Sequence, residues 1–468
     1  MTRIVVVGNG MAGARLVSEI RARDRHVGLT VFGAEESQPY NRVLLSNVVA
    51  GTMPPDQVRL LDPAWYADHS VTALPGVEVT AVDRENRAVL TATGRREPYD
   101  VLVLATGSEA VVPPVPGAAG RAVTFRTMDD CRRILRAAGA ARHAVVIGGG
   151  LLGVEAARGL AGRGLPVTLL HLAGHLMDRQ LDAEAGLVLG QTLGTLGVRT
   201  RTGVVVEEIL DDGVRLAGDE TVEADLVVLA CGVRPVTGLA REAGLEVARG
   251  IVVDDEMRTD DPSIFAIGEC AEHRGRVYGL VAPAWEQAAV VADIVTGADK
   301  AARYRGSRLV TRLKARSVEL AAMGETHLTE DDAEVVRFSH RAAGTYRKLV
   351  IRDGRLVGVI LLGETSAVGN LTQLFDRGGP LPGDRAGLLF PGLQGNAVAE
   401  SPVRMPDAAK VCQCNDVTKG QIRACWESGA RDVAAVAAAT RATTGCGGCR
   451  DAVEGIVGWL CEQEGVSA

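Results

Sequence analysis

Four cysteines near the end of the sequence have the clearest potential for chemistry. "VCQCN" places Cys412 and Cys414 one residue apart, and "TGCGGCR" places Cys446 and Cys449 two residues apart. Four thiolates are the ligand set of a [2Fe–2S] cluster, and the glycines beside the second pair let backbone N–H groups approach the sulfur atoms. A structural zinc site is an alternative, although its cysteine pairs are usually separated by about two to four residues. Two disulfides and four unrelated thiols are the other interpretations.

Two glycine-rich turns of the form G-x-G-x-x-G indicate dinucleotide binding. Each follows an apolar run, in "IVVVGNGMAGARL" and in "HAVVIGGGLLGVEAA", and each precedes a helical pattern and another apolar run. In this context glycine lets the backbone approach a pyrophosphate, and the helix N-terminus faces the anion. One copy is a weak indication, because such turns also form structural junctions, but two copies are specific. The candidate binding residues are Gly8, Asn9, Gly10, Met11, Ala12 and Gly13 in the first copy, and Gly148, Gly150, Leu151, Leu152 and Gly153 in the second.

Buried strands and helices must position these turns. Continuous apolar runs predict parallel strands at 4–7, 29–32, 144–147 and 166–170. Glu35 lies just past the second of these strands and is a candidate for binding a ribose hydroxyl. The last strand is followed by His171, where an acidic residue would have indicated NAD, so NADH and NADPH both remain open. The sequence predicts an α/β protein with two Rossmann-like domains.

Composition excludes several functional classes. The 468 residues are 47% hydrophobic and 23% charged, as expected for a globular protein, and the net charge of −7 does not suit binding to nucleic acid. No apolar run approaches the length of about 18–20 residues that spans a membrane. The N-terminal residues do not resemble a signal peptide, and the nine cysteines are scattered rather than arranged as a disulfide framework. We therefore expect a cytoplasmic protein.

Two further motifs complete a family pattern. "YDVLVLATGS" contains Ala105, Thr106 and Gly107 after a strand, and "IFAIGEC" contains Gly268 and Glu269. With the two fingerprints, these motifs resemble the flavoproteins that have two dinucleotide-binding domains, in which an NAD domain is inserted into an FAD domain. The resemblance implies an FAD-binding domain at 1–110 and 242–305, an NAD(P)H-binding domain at 112–241, a small α+β domain at 308–375, a linker at 376–407 and a small helical [2Fe–2S] domain at 408–468.

The same resemblance implies roles for individual residues. Gly268 and Glu269 match the motif that contacts the ribityl chain of the flavin, and Arg42 matches a basic residue near the flavin. Glu155 matches a position that faces the nicotinamide, although a glutamate in the first turns of a helix also stabilises the helix dipole. The stretch "YNRVLLSNVVAG" lacks the cysteine that some relatives use. Electrons are therefore expected to leave the flavin by another route, and the cysteines outside the C-terminal motif are expected to be inert.

The C-terminal segment resembles the bacterioferritin-associated-ferredoxin-like [2Fe–2S] domain. Nearly the whole chain resembles the reductase half of assimilatory NADH nitrite reductase large subunits and the electron-transfer subunit of assimilatory nitrate reductase, through stretches such as "FGAEESQPYNRVLLS" and "HLMDRQLD". This resemblance favours NADH over NADPH. The sequence lacks a sirohaem domain after the cysteine motif, so the expected partner is a separate nitrate or nitrite reductase catalytic subunit, with a homodimer as a further expectation.

Two other functions remain open from the sequence. One is a free-standing NAD(P)H reductase of a small ferredoxin or rubredoxin, or a simple oxidase. The other is a non-enzymatic module in which the C-terminal domain binds an iron-storage partner. A basic run from Arg303 to Arg316 is either a docking surface for an acidic partner or, as we expect, a solvated face.

Overall fold

The computed structural model describes residues 2–315, 318–390, 405–412, 415, 417–444 and 449–464. The chain forms two compact units, each assembled from separate segments. The first unit comprises Met1–Leu45, Met53–Val111 and Val233–Ser307, and the second comprises Ser46–Thr52, Val112–Gly232 and Arg308–Ala468.

A five-stranded parallel sheet forms the centre of the first unit. Its strands, in spatial order, are Ile264–Ala266, Val101–Leu104, Arg3–Val7, Gly28–Gly33 and Thr72–Pro75. Apart from the edge strand Thr72–Pro75, the strands are rich in Val, Ile and Leu and are buried almost continuously, as expected inside a covered parallel sheet. The helices of this unit are Met11–Arg23, Pro63–Asp68, Gly238–Glu242 and Val281–Thr296, with 3₁₀ turns at Arg42–Leu44, Pro55–Val58 and Gly268–Cys270, and helix Leu45–Ala50 begins at its boundary.

Smaller sheets complete the first unit. An antiparallel sheet contains Val79–Asp83, Ala88–Thr91 and Arg96–Pro98. The short strands Ser108–Ala110 and Val233–Pro235 pair antiparallel, and Ile251–Val253 and Ala271–His273 pair parallel. The pairing of residues 108–110 with 233–235 brings the two segments that flank 112–232 side by side.

The second unit contains another five-stranded parallel sheet. In spatial order its strands are Val198–Thr202, Val167–His171, Ala144–Ile147, Leu226–Leu229 and Ala122–Thr124. A three-stranded antiparallel sheet contains Val206–Ile209, Gly213–Leu216 and Thr221–Glu223, and the helices are Ala118–Arg121, Met128–Ala138, Leu151–Ala161 and Ala183–Thr195. The predicted pair of Rossmann-like sheets is confirmed.

Residues from 310 onward in the second unit form a small α+β fold. Its antiparallel sheet has the order Val310–Ala315, Val318–Gly324, Arg355–Leu362, Thr345–Arg352 and Glu334–His340, followed by helices Val368–Arg377 and Arg385–Leu389, with a 3₁₀ turn at Arg341–Ala343. The start of the predicted linker, 376–407, needs correction. Leu388 and Leu389 are buried in the core of this fold, so the chain stays packed on the sheet until at least residue 389.

The last part of the described chain is a hairpin followed by three helices. Strands Lys410–Cys412 and Val417–Thr418 pair antiparallel, and the helices are Lys419–Glu427, Val433–Thr440 and Arg450–Glu464. Their shared core is built around Ile422, Trp426 and Val453. Within the described ranges, no helix has both the length and the apolar character needed to cross a bilayer.

Candidate dinucleotide and cluster sites

The first glycine turn combines two residues fixed by backbone packing with one that lines open space. A Cβ atom built on Gly8, which has φ of +114°, would lie 2.1 Å from the carbonyl oxygen of Ala105, and one on Gly13 would lie 1.9 Å from the carbonyl oxygen of Gly8. Only glycine fits at these two positions. At Gly10 the nearest atom would be the Arg42 Nη2, 4.0 Å away. The open side of Gly10 is therefore the side on which a ligand can approach the backbone.

The helix after this turn begins without a side-chain cap. Gly10 is the N-cap of helix Met11–Arg23 and the first turn contains no acidic residue. By contrast, helix Met128–Ala138 begins with a capping box formed by Thr127 and Asp130. The first N–H groups of the uncapped helix have no intrahelical partners, so they can bind an anionic group such as a pyrophosphate. This arrangement fits the phosphates of FAD.

Polar side chains around the first turn pair with one another. The Glu35 carboxylate accepts hydrogen bonds from the Tyr40 hydroxyl at 2.6 Å and from the Arg42 guanidinium. Burial lowers the pKa of Arg42, but Tyr40 and Glu35 outweigh this and the net shift is upward. The Arg42 N–H donates to the Met11 Sδ at 3.4 Å. The structure thus brings together Glu35 and Arg42, which the sequence assigned to the ribose and the flavin separately.

Asn9 carries a buried donor within the turn. Its Oδ1 accepts a hydrogen bond from the Tyr66 hydroxyl at 2.8 Å, which orients the amide. Its Nδ2 is buried and has no protein acceptor. An unsatisfied buried donor is costly, so an acceptor supplied by a ligand would stabilise this site.

The two family motifs of the first unit lie close to the glycine turn. Thr106 donates from Oγ1 to the carbonyl oxygen of Val236 at 2.7 Å, and Gly107 adopts φ of +70° with no atom within 4 Å of a built Cβ. A Cβ on Gly268 would lie 2.9 Å from the Cβ of Ala12, so the second motif contacts the start of the first helix. The Glu269 carboxylate accepts a hydrogen bond from Ser108 at 2.7 Å.

The second glycine turn repeats this geometry. A Cβ on Gly148, at φ of +112°, would lie 2.3 Å from the carbonyl oxygen of Ala230, and one on Gly153 would lie 1.7 Å from the carbonyl oxygen of Gly148. A Cβ on Gly150 would meet no atom within 4 Å. Helix Leu151–Ala161 starts with Leu151 and Leu152, again without a side-chain cap or an acidic residue in the first turn. The second turn therefore also fits a dinucleotide pyrophosphate.

His171 is part of the second turn's support. Its Nδ1 accepts a hydrogen bond from the Gly149 N–H at 3.0 Å, and its Nε2 lies 3.1 Å from Asp178 Oδ1. This pattern assigns a neutral ring with the proton on Nε2, donated to Asp178. Asp178 was missed from the sequence, because no motif links it to the strand end. Glu155 is buried in the helix that follows the turn.

Two of the four predicted cluster ligands lie in the described residues. Cys412 ends the strand Lys410–Cys412, Cys449 immediately precedes helix Arg450–Glu464, and both are buried in one apolar core. The Thr443 N–H donates to the Cys449 Sγ at 3.2 Å, a contact that favours a thiolate. Cys414 and Cys446 lie outside the described residues.

Asn415 connects the two cysteine segments. Its Nδ2 donates to the carbonyl oxygen of Arg441 at 2.6 Å and to the Thr444 Oγ1 at 3.3 Å. These bonds join the residue next to the first cysteine pair to the residues that lead into the second pair. The arrangement holds the segments side by side, as a shared cluster requires, and fits a [2Fe–2S] group. An asparagine following C-x-C was the available sequence signal, but alone it does not predict this bridge.

Three cysteines of the Rossmann-like parts are poorly suited to redox chemistry. Burial raises the pKa of the Cys131 thiol to about 12 and also raises the pKa values of Cys231 and Cys270. Because the thiolate is the reactive form, these side chains stay protonated and unreactive. This agrees with the expectation that these three cysteines are inert.

Comparison with known proteins identifies three matching regions. Residues 2–288 match the model of the pyridine nucleotide-disulphide oxidoreductase family. The chain belongs to this family. Residues 310–378 match the rubredoxin NAD+ reductase C-terminal domain, and residues 410–459 match the BFD-like [2Fe-2S] binding domain. The predicted enzyme class, an NAD(P)H-dependent flavoprotein oxidoreductase, and the predicted cofactors FAD, a nicotinamide dinucleotide and [2Fe–2S] are confirmed at the level of these families.

Similar proteins agree with this membership. The chain is 41% identical over 463 residues to a nitrite reductase [NAD(P)H] of Bacillus subtilis, covering 97% of this chain and 57% of that protein. It is 36% identical over 470 residues to the assimilatory nitrate reductase electron transfer subunit of Bacillus subtilis, covering 99% and 60%. The chain thus spans less than two thirds of the length of either relative. A ferredoxin reductase structure from Rhodopseudomonas palustris has a TM-score of 0.74 at 27% identity, covering 81% of this chain and 96% of that one.

Proposed function

We propose that this chain is the NADH-oxidising electron-transfer module of an assimilatory nitrite or nitrate reductase. The observation that carries the proposal is the presence in one chain of two open, uncapped glycine turns and a C-terminal domain with paired cysteines. The names of the two Bacillus subtilis relatives supply the physiological acceptor class. The partner is a nitrate or nitrite reductase catalytic unit.

The first unit supplies the FAD site in this proposal. The turn around Gly10 and the start of its helix bind the pyrophosphate, Glu35 binds the ribose, and Gly268 and Glu269 contact the ribityl chain. Arg42 orients Glu35 through their ion pair and lies near the flavin. Ala105, Thr106 and Gly107 support the turn, because the carbonyl of Ala105 packs against Gly8.

The second unit supplies the NADH site and the cluster. The turn around Gly150 binds the NADH pyrophosphate, Glu155 lies toward the nicotinamide, and His171 holds the turn through Gly149. Cys412, Cys414, Cys446 and Cys449 are the proposed cluster ligands. When bound, FAD accepts a hydride and releases single electrons, and the cluster carries single electrons. The protein groups bind and orient these cofactors. Burial keeps the thiols of Cys131, Cys231 and Cys270 protonated.

Domain boundaries and location follow from the same proposal. We assign FAD binding to 1–110 and 242–305, NADH binding to 112–241, and the cluster to the segment from 408 onward, with the small domain extended to residue 389.

Cys231, Cys270, Cys425 and Cys461 are free thiols, which suits a reducing cytoplasm. Arg303 and Arg305 of the basic run pair with Glu256 and Asp255 within the first unit.

Purified protein should contain two iron atoms and two acid-labile sulfides for each FAD. This ratio follows from one first-turn site and one four-cysteine site in each chain. Metal analysis, sulfide assay and flavin absorbance measure it directly. Zinc in place of iron would contradict the electron-transfer role and support a structural site.

NADH should be the preferred nicotinamide. At the end of this strand the His171 Nε2 lies 3.1 Å from the Asp178 carboxylate. We propose that Asp178 is the acidic group that meets the adenosine ribose. A carboxylate accepts a 2′-hydroxyl and repels a 2′-phosphate. Steady-state turnover with ferricyanide gives kcat/KM for both nucleotides. A larger kcat/KM with NADPH would show that this assignment is wrong.

A further inference from the structure

His171, which ends strand Val167–His171, and the loop 172–182 that follows it support the second glycine turn from two sides. The Gly149 N–H donates to His171, and the Gly149 carbonyl oxygen accepts the N–H of Met177 at 2.9 Å. A Cβ built on Gly149 would lie 2.6 Å from the Leu176 Cδ2 and 2.7 Å from the His171 Cγ. Leu176 and Met177 are fully buried. The position of Gly149, in the middle of the turn, is therefore set by this loop.

The other end of the loop is held by the small α+β fold. Asp182 accepts hydrogen bonds from the Lys348 Nζ at 3.0 Å and from the Tyr346 hydroxyl at 2.7 Å. Lys348 also donates to the carbonyl oxygen of Thr326 at 2.9 Å. Nearby, the His327 Nε2 lies 3.2 Å from the Arg179 carbonyl oxygen.

Asp182 and Lys348 form an ion pair in which the lysine is buried and the carboxylate is partly buried. Burial raises the pKa of Asp182, but the Ala185 N–H, Tyr346 and Lys348 together hold it below its ordinary value, so the carboxylate is charged at neutral pH. Lys348 is 4% exposed. Because either charge alone would be poorly solvated in this position, the pair strongly favours one loop geometry.

We propose that Lys348 is a positioning residue for the nicotinamide dinucleotide. Through Asp182 it fixes the loop 172–182, and through Leu176 and Met177 that loop fixes Gly149 where the pyrophosphate binds. The inference rests on the proposed NADH site at the second turn. It gives the small domain a role in nucleotide affinity that is exerted through the loop.

The test compares Lys348→Met with the unaltered full chain. NAD+ binding by calorimetry and the KM for NADH with ferricyanide should both weaken about 5-fold, within the range of effects transmitted through contact networks. The FAD content and kcat should stay unchanged. The double variant Asp182→Asn, Lys348→Met removes both charges and keeps an N-cap residue at position 182. It therefore breaks the same ion pair without leaving an unpaired carboxylate. It too should bind NAD+ more weakly.

Arg347→Met is the matched control. Arg347 neighbours Lys348 on the same strand and is 8% exposed, but it pairs with Glu364 and donates to the Leu389 carbonyl oxygen inside the small fold. Its loss should leave NAD+ affinity unchanged. If Arg347→Met and Lys348→Met weaken NAD+ binding equally, the inference is overturned and the proposed function is not. The same holds if Lys348→Met and the double variant both bind NAD+ with wild-type affinity. If the unaltered chain fails to bind NAD+, the proposed function fails and this inference fails with it.

Discussion

Replacing Gly10 with valine should weaken FAD binding while leaving the fold of the protein intact. Gly10 has φ of −88° and ψ of −157°, an extended conformation that any residue adopts, so valine adds no backbone strain. The new side chain instead fills the open space beside the first helix N-terminus. Overpacking costs about 1–3 kcal/mol, so FAD binding should weaken by about 5- to 150-fold. Flavin absorbance after purification and circular dichroism measure the two expectations.

Gly150→Val is the matched variant in the second turn. Gly150 has φ of −76° and ψ of −174°, and a built Cβ meets no atom within 4 Å. This variant should retain FAD and be reduced by dithionite, but NADH should reduce it poorly. Stoichiometric, tightly bound FAD in Gly10→Val, or normal NADH oxidation by Gly150→Val, would show that the turns do not bind the two dinucleotides as proposed.

Replacing Cys449 with serine should remove the cluster and separate two activities. Cys449 is buried and receives the Thr443 N–H, so its sulfur occupies a position suited to a thiolate ligand. Changes around metal ligands reduce metal affinity by about 10- to 100-fold, and loss of a ligand should do at least as much. FAD content and NADH–ferricyanide turnover should persist, whereas electron delivery to a nitrate or nitrite reductase catalytic unit should collapse.

Cys425→Ser is the control for this prediction, because Cys425 is a half-buried free thiol in the same helical segment. It should keep the cluster and both activities. Delivery to the catalytic unit that survives in Cys449→Ser after iron loss would mean that the cluster is dispensable. Loss of ferricyanide turnover with FAD still bound would mean that electrons reach ferricyanide only through the cluster.

The sequence predicted those features that depend on local backbone constraints. Gly8 and Gly13 approach neighbouring carbonyl groups too closely for a side chain, so their spacing alone indicated a strand, a turn and a helix. The buried strands followed from continuous apolar runs, since both faces of a parallel sheet are covered. Local patterns were sufficient where the physical cause is itself local.

Contacts between distant residues were not predictable in this way. Lys348 and Asp182 are joined by tertiary packing, and a lysine in a strand pattern normally indicates an exposed position. Asn415 gained its role only when the hairpin met the loop before the last helix. Leu388 and Leu389 follow a Pro- and Gly-containing stretch that resembles a linker, yet both pack in the apolar core of the small fold.

Anaerobic reduction of the purified chain by NADH, followed by electron paramagnetic resonance, tests the central claim most directly. With one equivalent or more of NADH, flavin absorbance should bleach and the signal of a reduced [2Fe–2S] cluster should appear. In Gly150→Val the cluster signal should require dithionite. A cluster that dithionite reduces but NADH leaves oxidised, despite bleaching of the flavin, would contradict the proposal that this chain passes electrons from NADH to its C-terminal cysteines.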